Sequence, residues 1–416
     1  MPGGRTLLAW RVMCLTPFHV RRQSKLDGTQ QDICTEGEQT FMTSEERREA
    51  RYQRRRAVRR ARLEERNRSI GGVDRVFGYD ALYMAGRRCC NGVRWKQSTQ
   101  RFEAHLFSGT ARQRRELLDG KWKPHKYVRF TIRERGKTRT IDAPHIKDRQ
   151  VHKALTRGCL IPLFGPSMIY DNGASIKGKG LHFCFRRLKE QLRWHYQRYG
   201  RSGYVLLMDF SRFFPSAPHE TLYQRHRRLI LDEDLRRIAD SIIDTAPGGE
   251  GMPLGVEPSQ IEMVSLPSPI DNHIKCQRSV HCAAHYMDDY CAVLPDMERL
   301  VQLRGEVIAM AERMGLHINP AKCSVVSVTK WFKFCKAKIL LEENGKVVMR
   351  GSRDSMKRAK RKLRSFRKKR AAGGISLEKV DEYMVCQRAY FDNYDDHGRV
   401  LILNRMRHAM FEEEVT

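Results

Sequence analysis

His285-Tyr286-Met287-Asp288-Asp289-Tyr290 is the stretch that decides how this chain is read. Apolar residues flank it, Ala283-Ala284 before and Cys291-Ala292-Val293-Leu294 after. The flanks predict two short strands, with the Asp pair as the tight turn joining them. Carboxylates held at a turn by buried strands can aim oxygen ligands at hard cations such as Mg2+. An ordinary hairpin with Asp-Asp at its tip has the same sequence pattern, so the rest of the chain must decide.

A second acidic element lies upstream. Gly203 to Phe214 reads Gly-Tyr-Val-Leu-Leu-Met-Asp-Phe-Ser-Arg-Phe-Phe. The Tyr204–Met208 run is apolar throughout, as a buried strand should be. It ends at Asp209, and a carboxylate there is costly unless it is paired or holds a metal. Asp209, Asp288 and Asp289 in one sheet suit a two-metal site. One ion would lower the pKa of an attacking 3′-hydroxyl, and the other would neutralise a triphosphate and its leaving group. Phosphoryl transfer is mostly positioning and charge stabilisation, so carboxylates and basic side chains suffice.

Composition points to the partner. The 416 residues carry a formal net charge of +31. Such a surplus repels itself and is best explained by a polyanion, nucleic acid first and an anionic membrane surface second. No apolar run approaches the roughly 20 residues of a spanning helix. Residues 1–41 lack periodicity and read as a disordered or misassigned leader, with Met42 ahead of a helix start at Thr43-Ser44-Glu45-Glu46. Leu7 to Leu15 is broken by Arg11 and lacks a cleavage site, so it is not a secretion signal. The 12 cysteines show no C-x-x-C pair, which favours free thiols in a reducing compartment. Cys276, His281, Cys282 and His285 could be drawn as a zinc site, but their spacing matches no common finger.

Residues 44–68 hold 11 Arg and 5 Glu and predict a basic helical arm, either a solvated face with Glu–Arg pairs or a phosphate-binding one. Residues 42–85 are assigned to this arm. Tyr127–Ile132 and Thr138–Ile141 alternate around Gly136 and predict a hairpin. A helix is expected from near Lys147. Lys357 to Arg370 is a second basic run suited to a phosphate backbone. Gly373-Gly374 then breaks the chain, and a helical tail is expected from about Leu377 to Glu414.

In order along residues 125–340, these segments resemble the reverse transcriptase family. Tyr286-Met287-Asp288-Asp289 matches its Tyr-x-Asp-Asp box. Asp209-Phe210-Ser211-Arg212-Phe213-Phe214-Pro215-Ser216 matches the strand bearing its first catalytic Asp. Lys137, Arg139 and the stretch Ile169 to Gly180 match the fingers of bacterial members. Gly251-Met252-Pro253-Leu254-Gly255-Val256-Glu257-Pro258-Ser259-Gln260 matches the middle box. Gly315 to Lys322 and Trp331-Phe332-Lys333-Phe334 resemble the two later palm motifs.

The resemblance implies an α+β right-hand polymerase fold, with fingers and palm over residues 86–345 and a basic helical thumb over residues 346–416. The palm would be an antiparallel sheet packed on helices. It implies RNA-directed DNA synthesis with two Mg2+ ions, for which Mn2+ can substitute. Asp209 and Asp288 would be the main metal ligands, with the adjacent Asp289 and with Phe210 completing the metal set. Lys137 and Arg139 would grip the triphosphate. Phe214 would sit under the sugar, where a large ring clashes with a 2′-hydroxyl and so favours dNTPs; plain core packing is its other reading. Lys322 would protonate pyrophosphate. Gly255 and Gln260 would line the nucleotide side of the middle box. Template RNA, DNA primer and dNTPs are the implied partners, with room for an accessory template-delivery protein, in the cytoplasm of a bacterial or phage-infected cell.

One departure stands out. Many relatives carry Gln where this chain has Leu254. The version here, Leu-Gly-x-x-x-Ser-Gln, resembles reverse transcriptases of diversity-generating retroelements, which copy adenines with errors. An apolar Leu removes a hydrogen bond that helps fix the base, and sites poor in hydrogen bonds discriminate less. Group II intron-like, retron-like and phage-defence enzymes are the alternatives within the family. A non-catalytic RNA-binding scaffold and an RNA-dependent RNA polymerase lie outside it; the intact Asp triad opposes the first, and Phe214 with the Tyr-x-Asp-Asp box opposes the second.

Overall fold

Three antiparallel sheets organise the described part of the chain. The computed structural model describes residues 43–134 and 136–411, and the side chains of Glu134 and Lys137 lie outside what is described. Two units are distinguished, Met1–Arg56 and Ala57–Thr416. The leader over residues 1–41 therefore lies outside the described residues.

The helix Ser44–Ile70 starts on a capping box. The Glu46 N–H donates to Thr43 Oγ1 at 3.2 Å and the Thr43 N–H donates to Glu46 Oε2 at 2.6 Å. Two otherwise orphaned amides are satisfied reciprocally. Beyond Arg56, the residues from Ile70 onward enter a core: Ile70, Phe77 and Leu82 pack in one cluster with Val151, Leu155 and Phe164.

The central sheet has the order β4-β5-β3-β6, from β3 (Tyr204–Asp209), β4 (Cys282–Tyr286), β5 (Asp289–Leu294) and β6 (Ser324–Ser327). Both of its faces are covered, which is why Tyr204–Met208 reads as an unbroken apolar run. Leu206, Met208, Tyr290 and Ala292 point to one side, against Leu300, Leu303 and Val307 of the helix Met297–Arg313. Val205, Cys291 and Val293 point to the other, against Phe185, Leu188 and Leu192 of the helix Leu181–Tyr199. The period of two along each strand assigns every side chain to one of these cores.

The hairpin of β1 (Val128–Glu134) and β2 (Lys137–Ala143) pairs in register around Gly136, whose φ of 79° suits the turn. Its base is tied to the middle box, because the Asp142 N–H donates to the Leu254 carbonyl at 2.8 Å. A third sheet, β7 (Phe332–Phe334), β8 (Ala337–Leu341) and β9 (Val347–Arg350), joins the core of the Leu181–Tyr199 helix.

Three helices close the chain: Arg353–Ala371, Leu377–Phe391 and His397–Phe411. The first buries Met356, Ala359, Leu363 and Phe366, a single helical face, so the Lys and Arg residues of its opposite face meet solvent. The expected single tail helix is two, because the chain turns at Asp392–Asp396. There Asp395 receives the Met349 N–H at 2.8 Å and Asp396 the Gly351 N–H at 2.6 Å. Capping of the end of β9 interrupts the helix, a tertiary demand that local periodicity does not encode. No helix among the described residues is long and apolar enough to cross a membrane.

Candidate active site

Asp209 and Asp289 are Cα partners across β3 and β5. Asp289 is thus the first residue of a strand, and the turn itself is Met287-Asp288. This refines the reading of the Asp pair as the turn: one carboxylate comes from the sheet and the other from the loop. The hairpin closes with Tyr286 opposite Asp289. Met287 has φ of 58°, while Asp288 is not in the positive-φ region. Positive φ at the first of two loop residues is the pattern of a II′ turn, where Gly is usual.

Backbone bonds fix the ends of these strands. The Phe210 N–H donates to the Asp288 carbonyl at 3.2 Å, and the Asn319 N–H donates to the Asp209 carbonyl at 2.8 Å. Phe210 itself is buried, stacked on Phe213 at 4.9 Å and edge-on to Tyr290 at 5.7 Å. Its ring anchors the strand end, and the residue also borders the cleft that Asp209 and Asp288 line.

Crowding of like charges marks the electrostatics. Burial, then Asp288 and Asp209, push the Asp289 carboxyl up to about 6, against the opposing effects of Lys322 and of a hydrogen bond with Cys335. Lys322 Nζ lies 2.5 Å from Asp209 Oδ2. Among the described residues no three His, Cys, Asp or Glu side chains converge tightly enough to enclose an ion unaided. Mg2+ rarely needs such a cage, since it is held by one or two carboxylates together with substrate phosphates and waters. The hard oxygen donors and their mutual repulsion fit a divalent cation, with Asp209 and Asp288 on the cleft and Asp289 behind them.

That cleft has a volume of about 1080 Å³ and is lined by Asp209, Asp288, Lys322, Arg139, Phe214 and Leu254, among others. Phe214 is half-buried, with its ring edge-on to Phe213 at 5.9 Å. Arg139 reaches the cleft from β2, opposite Ile132. The side chain of Lys137 lies outside the described residues. Gly255 and Gln260 line a neighbouring cavity of about 320 Å³ with Arg149 and His152 instead. A Cβ on Gly255, whose φ is 112°, would meet the Asp142 carbonyl at 3.0 Å, so only glycine lets the hairpin dock this closely.

Residues 123–357 match the family described as Reverse transcriptase (RNA-dependent DNA polymerase). The chain belongs to the reverse transcriptase family. The match spans more than half of its length and contains the whole cleft. A solved structure of telomerase from Candida albicans in complex with a TWJ fragment of telomeric RNA is also similar. Identity is 12%, the TM-score is 0.43, and the alignment covers 71% of this chain and 63% of that one. No curated protein matches the chain.

Sequence reading overlooked several residues of this reverse transcriptase domain. Arg129 lines the cleft and donates to Asp142 at 2.8 Å; the unusually basic polar positions of the hairpin were its signal. Asn319 holds the end of β3, and its place before Pro320 in a later palm motif was the only hint. Asp271 and Asn172, both fully buried, meet at His285, and no local pattern announces that contact. The four residues drawn as a zinc site go to separate partners. Cys282 Sγ donates to the Gln191 carbonyl, Cys276 Sγ to Asn272, His281 stacks on Trp194, and His285 faces Asp271.

Proposed function

We propose that the chain is an RNA-directed DNA polymerase that adds dNTPs to a primer 3′-hydroxyl. The observation that carries this reading is the pairing of Asp209 with Asp289 across the central sheet, with Asp288 presented by the turn at a cleft that Arg139 and Lys322 also line. Divalent cations, Mg2+ or in its place Mn2+, would supply charge neutralisation of the triphosphate and acidification of the attacking hydroxyl. Asp209 and Asp288 would hold them, and Asp289 would add negative charge from behind. Arg139, with Lys137, would orient the triphosphate. Lys322, beside Asp209, would carry a proton to the departing pyrophosphate. The Phe214 ring would fill the space a 2′-hydroxyl needs.

Within the family, the diversity-generating retroelement type is the reading that Leu254 supports. The residue reaches the cleft with an apolar side chain and offers the incoming base no hydrogen bond. Template RNA, primer and an accessory template-delivery protein would be the partners, in a bacterial or phage-infected cytoplasm. The basic outer face of the Arg353–Ala371 helix suits the phosphate backbone of the duplex.

Primer extension by the purified chain, with RNA template, DNA primer, Mg2+ and labelled dNTPs, tests the activity. Extension is expected, and Asp288→Asn should abolish it. Unchanged extension by that variant would remove the site assignment.

A further inference from the structure

We propose that His285 is a positioning residue that clamps the catalytic turn and couples it to the fingers stretch Tyr170–Ala174. This rests on the reading of Asp288 as a metal ligand given above.

Met287 is the strained point of the turn. A non-glycine residue in the left-handed region persists only when its surroundings over-determine it. His285 provides that determination. Its Nε2 donates to the Met287 carbonyl at 2.7 Å, two residues along the same chain. The ring cannot swing away, because it stacks on Tyr290 at 4.1 Å and 19°. Its other edge faces polar partners too: Nδ1 lies 3.0 Å from Asp271 Oδ2, to which it can donate when protonated, and 3.1 Å from Asn172 Nδ2, from which it accepts when it is not. All three side chains are at most 1% exposed, so none can exchange these contacts for water.

Asn172 extends the clamp into the fingers stretch. Its Oδ1 accepts the Ala174 N–H at 3.2 Å, and its Nδ2 donates to the Val264 carbonyl at 3.3 Å. The backbones run together as well: the His285 N–H donates to the Asp171 carbonyl at 3.3 Å, and the Gly173 N–H to the His285 carbonyl at 3.1 Å. A shift of the Tyr170–Ala174 segment would therefore move His285, and through Met287 the carboxylate of Asp288. A ligand-orienting shell of this kind typically changes metal affinity or activity 10–100-fold when broken.

His285→Phe keeps the ring and its stack but removes both polar edges. It should lower the primer-extension rate by roughly 10- to 100-fold, raise the Mg2+ needed for half-maximal rate, and weaken Mn2+ binding measured directly by electron paramagnetic resonance. The dNTP KM should stay near wild type. Adding Met287→Gly to His285→Phe should recover much of the loss, because glycine takes positive φ unaided. Wild-type rate and Mn2+ affinity in His285→Phe would overturn the inference, as would a double variant no better than the single. If His285→Phe does not fold, Asp271→Asn tests the same edge: a raised Mg2+ requirement supports the clamp and a wild-type requirement overturns it. Asp288→Asn separates the two levels. If it retains extension, the site reading fails; if it is inactive while His285→Phe is wild type, only the clamp fails.

Discussion

Lys322 Nζ and Asp209 Oδ2 are 2.5 Å apart at the floor of the cleft. The lysine side chain is half-exposed while the aspartate is nearly buried, so the ammonium occupies a place where a cation is wanted. On the function proposed above, a divalent ion held by Asp209 would displace it and leave the ammonium free to serve the triphosphate. Lys322→Met should reduce the maximal extension rate by roughly 100-fold, the usual scale for a lost general acid. It should not raise the Mg2+ required for half-maximal rate, since a competitor for Asp209 is gone. Rate against Mg2+ concentration checks both, and a raised Mg2+ requirement would contradict the competition.

Phe214 borders the cleft instead of lying wholly within the Phe210–Phe213 stack. Its ring therefore has a face available to a sugar. Phe214→Ala should raise ribonucleotide incorporation relative to deoxynucleotide by roughly 10- to 100-fold, since a steric block in an apolar pocket is worth ~1–3 kcal/mol. Competing dNTP and rNTP extension measures the ratio. An unchanged ratio would return Phe214 to a packing role.

Leu254 joins the hairpin and the middle box through its carbonyl, which accepts the Asp142 N–H. A side-chain change leaves that backbone bond in place, so its effect reports on the cleft. Leu254→Gln should lower misincorporation opposite template adenine by restoring a hydrogen-bonding group. Sequencing of extension products from an adenine-rich RNA template gives the answer, and equal error rates would count against the retroelement reading.

Much of this was legible from sequence for a physical reason. β3 and β5 are buried on both faces, so their apolar runs and terminal carboxylates stand out locally, and the hairpin at 128–143 alternates around a glycine. What escaped detection depends on contacts far apart in the chain. Asn172, Asp271 and His285 look like unrelated polar residues until the fold brings them within 3.1 Å. The placement of Gly255 and Gln260 beside Arg149, away from the carboxylates, follows from how the hairpin docks, which spacing does not determine. The break at Asp392–Asp396 differs: its Asp and Asn residues favour caps and turns and so were a local sign, while their bonds to β9 were not legible.

His226 supplies a pH dependence independent of the cleft. It is buried, with Nδ1 2.6 Å from Asp240 Oδ1 and Nε2 3.2 Å from Glu262 Oε2. Glu262 is fully buried beside it, and its charge is the larger of the two carboxylate effects. Burial alone would depress the imidazole, but Glu262 and Asp240 outweigh it and raise it to about 9. Unfolded histidine titrates near 6.5. A raised folded value means that the stabilisation is fully present below about pH 6.5 and is lost as pH rises through about 9. The effect is on the order of 3 kcal/mol, from 1.36 kcal/mol per unit. Urea unfolding at pH 6 and pH 9.5 should show the wild-type chain losing stability between the two. His226→Gln should be weaker at pH 6 and should lose less on going to pH 9.5, because it has no proton to give up. An equal loss in both proteins would assign the pH dependence to other groups.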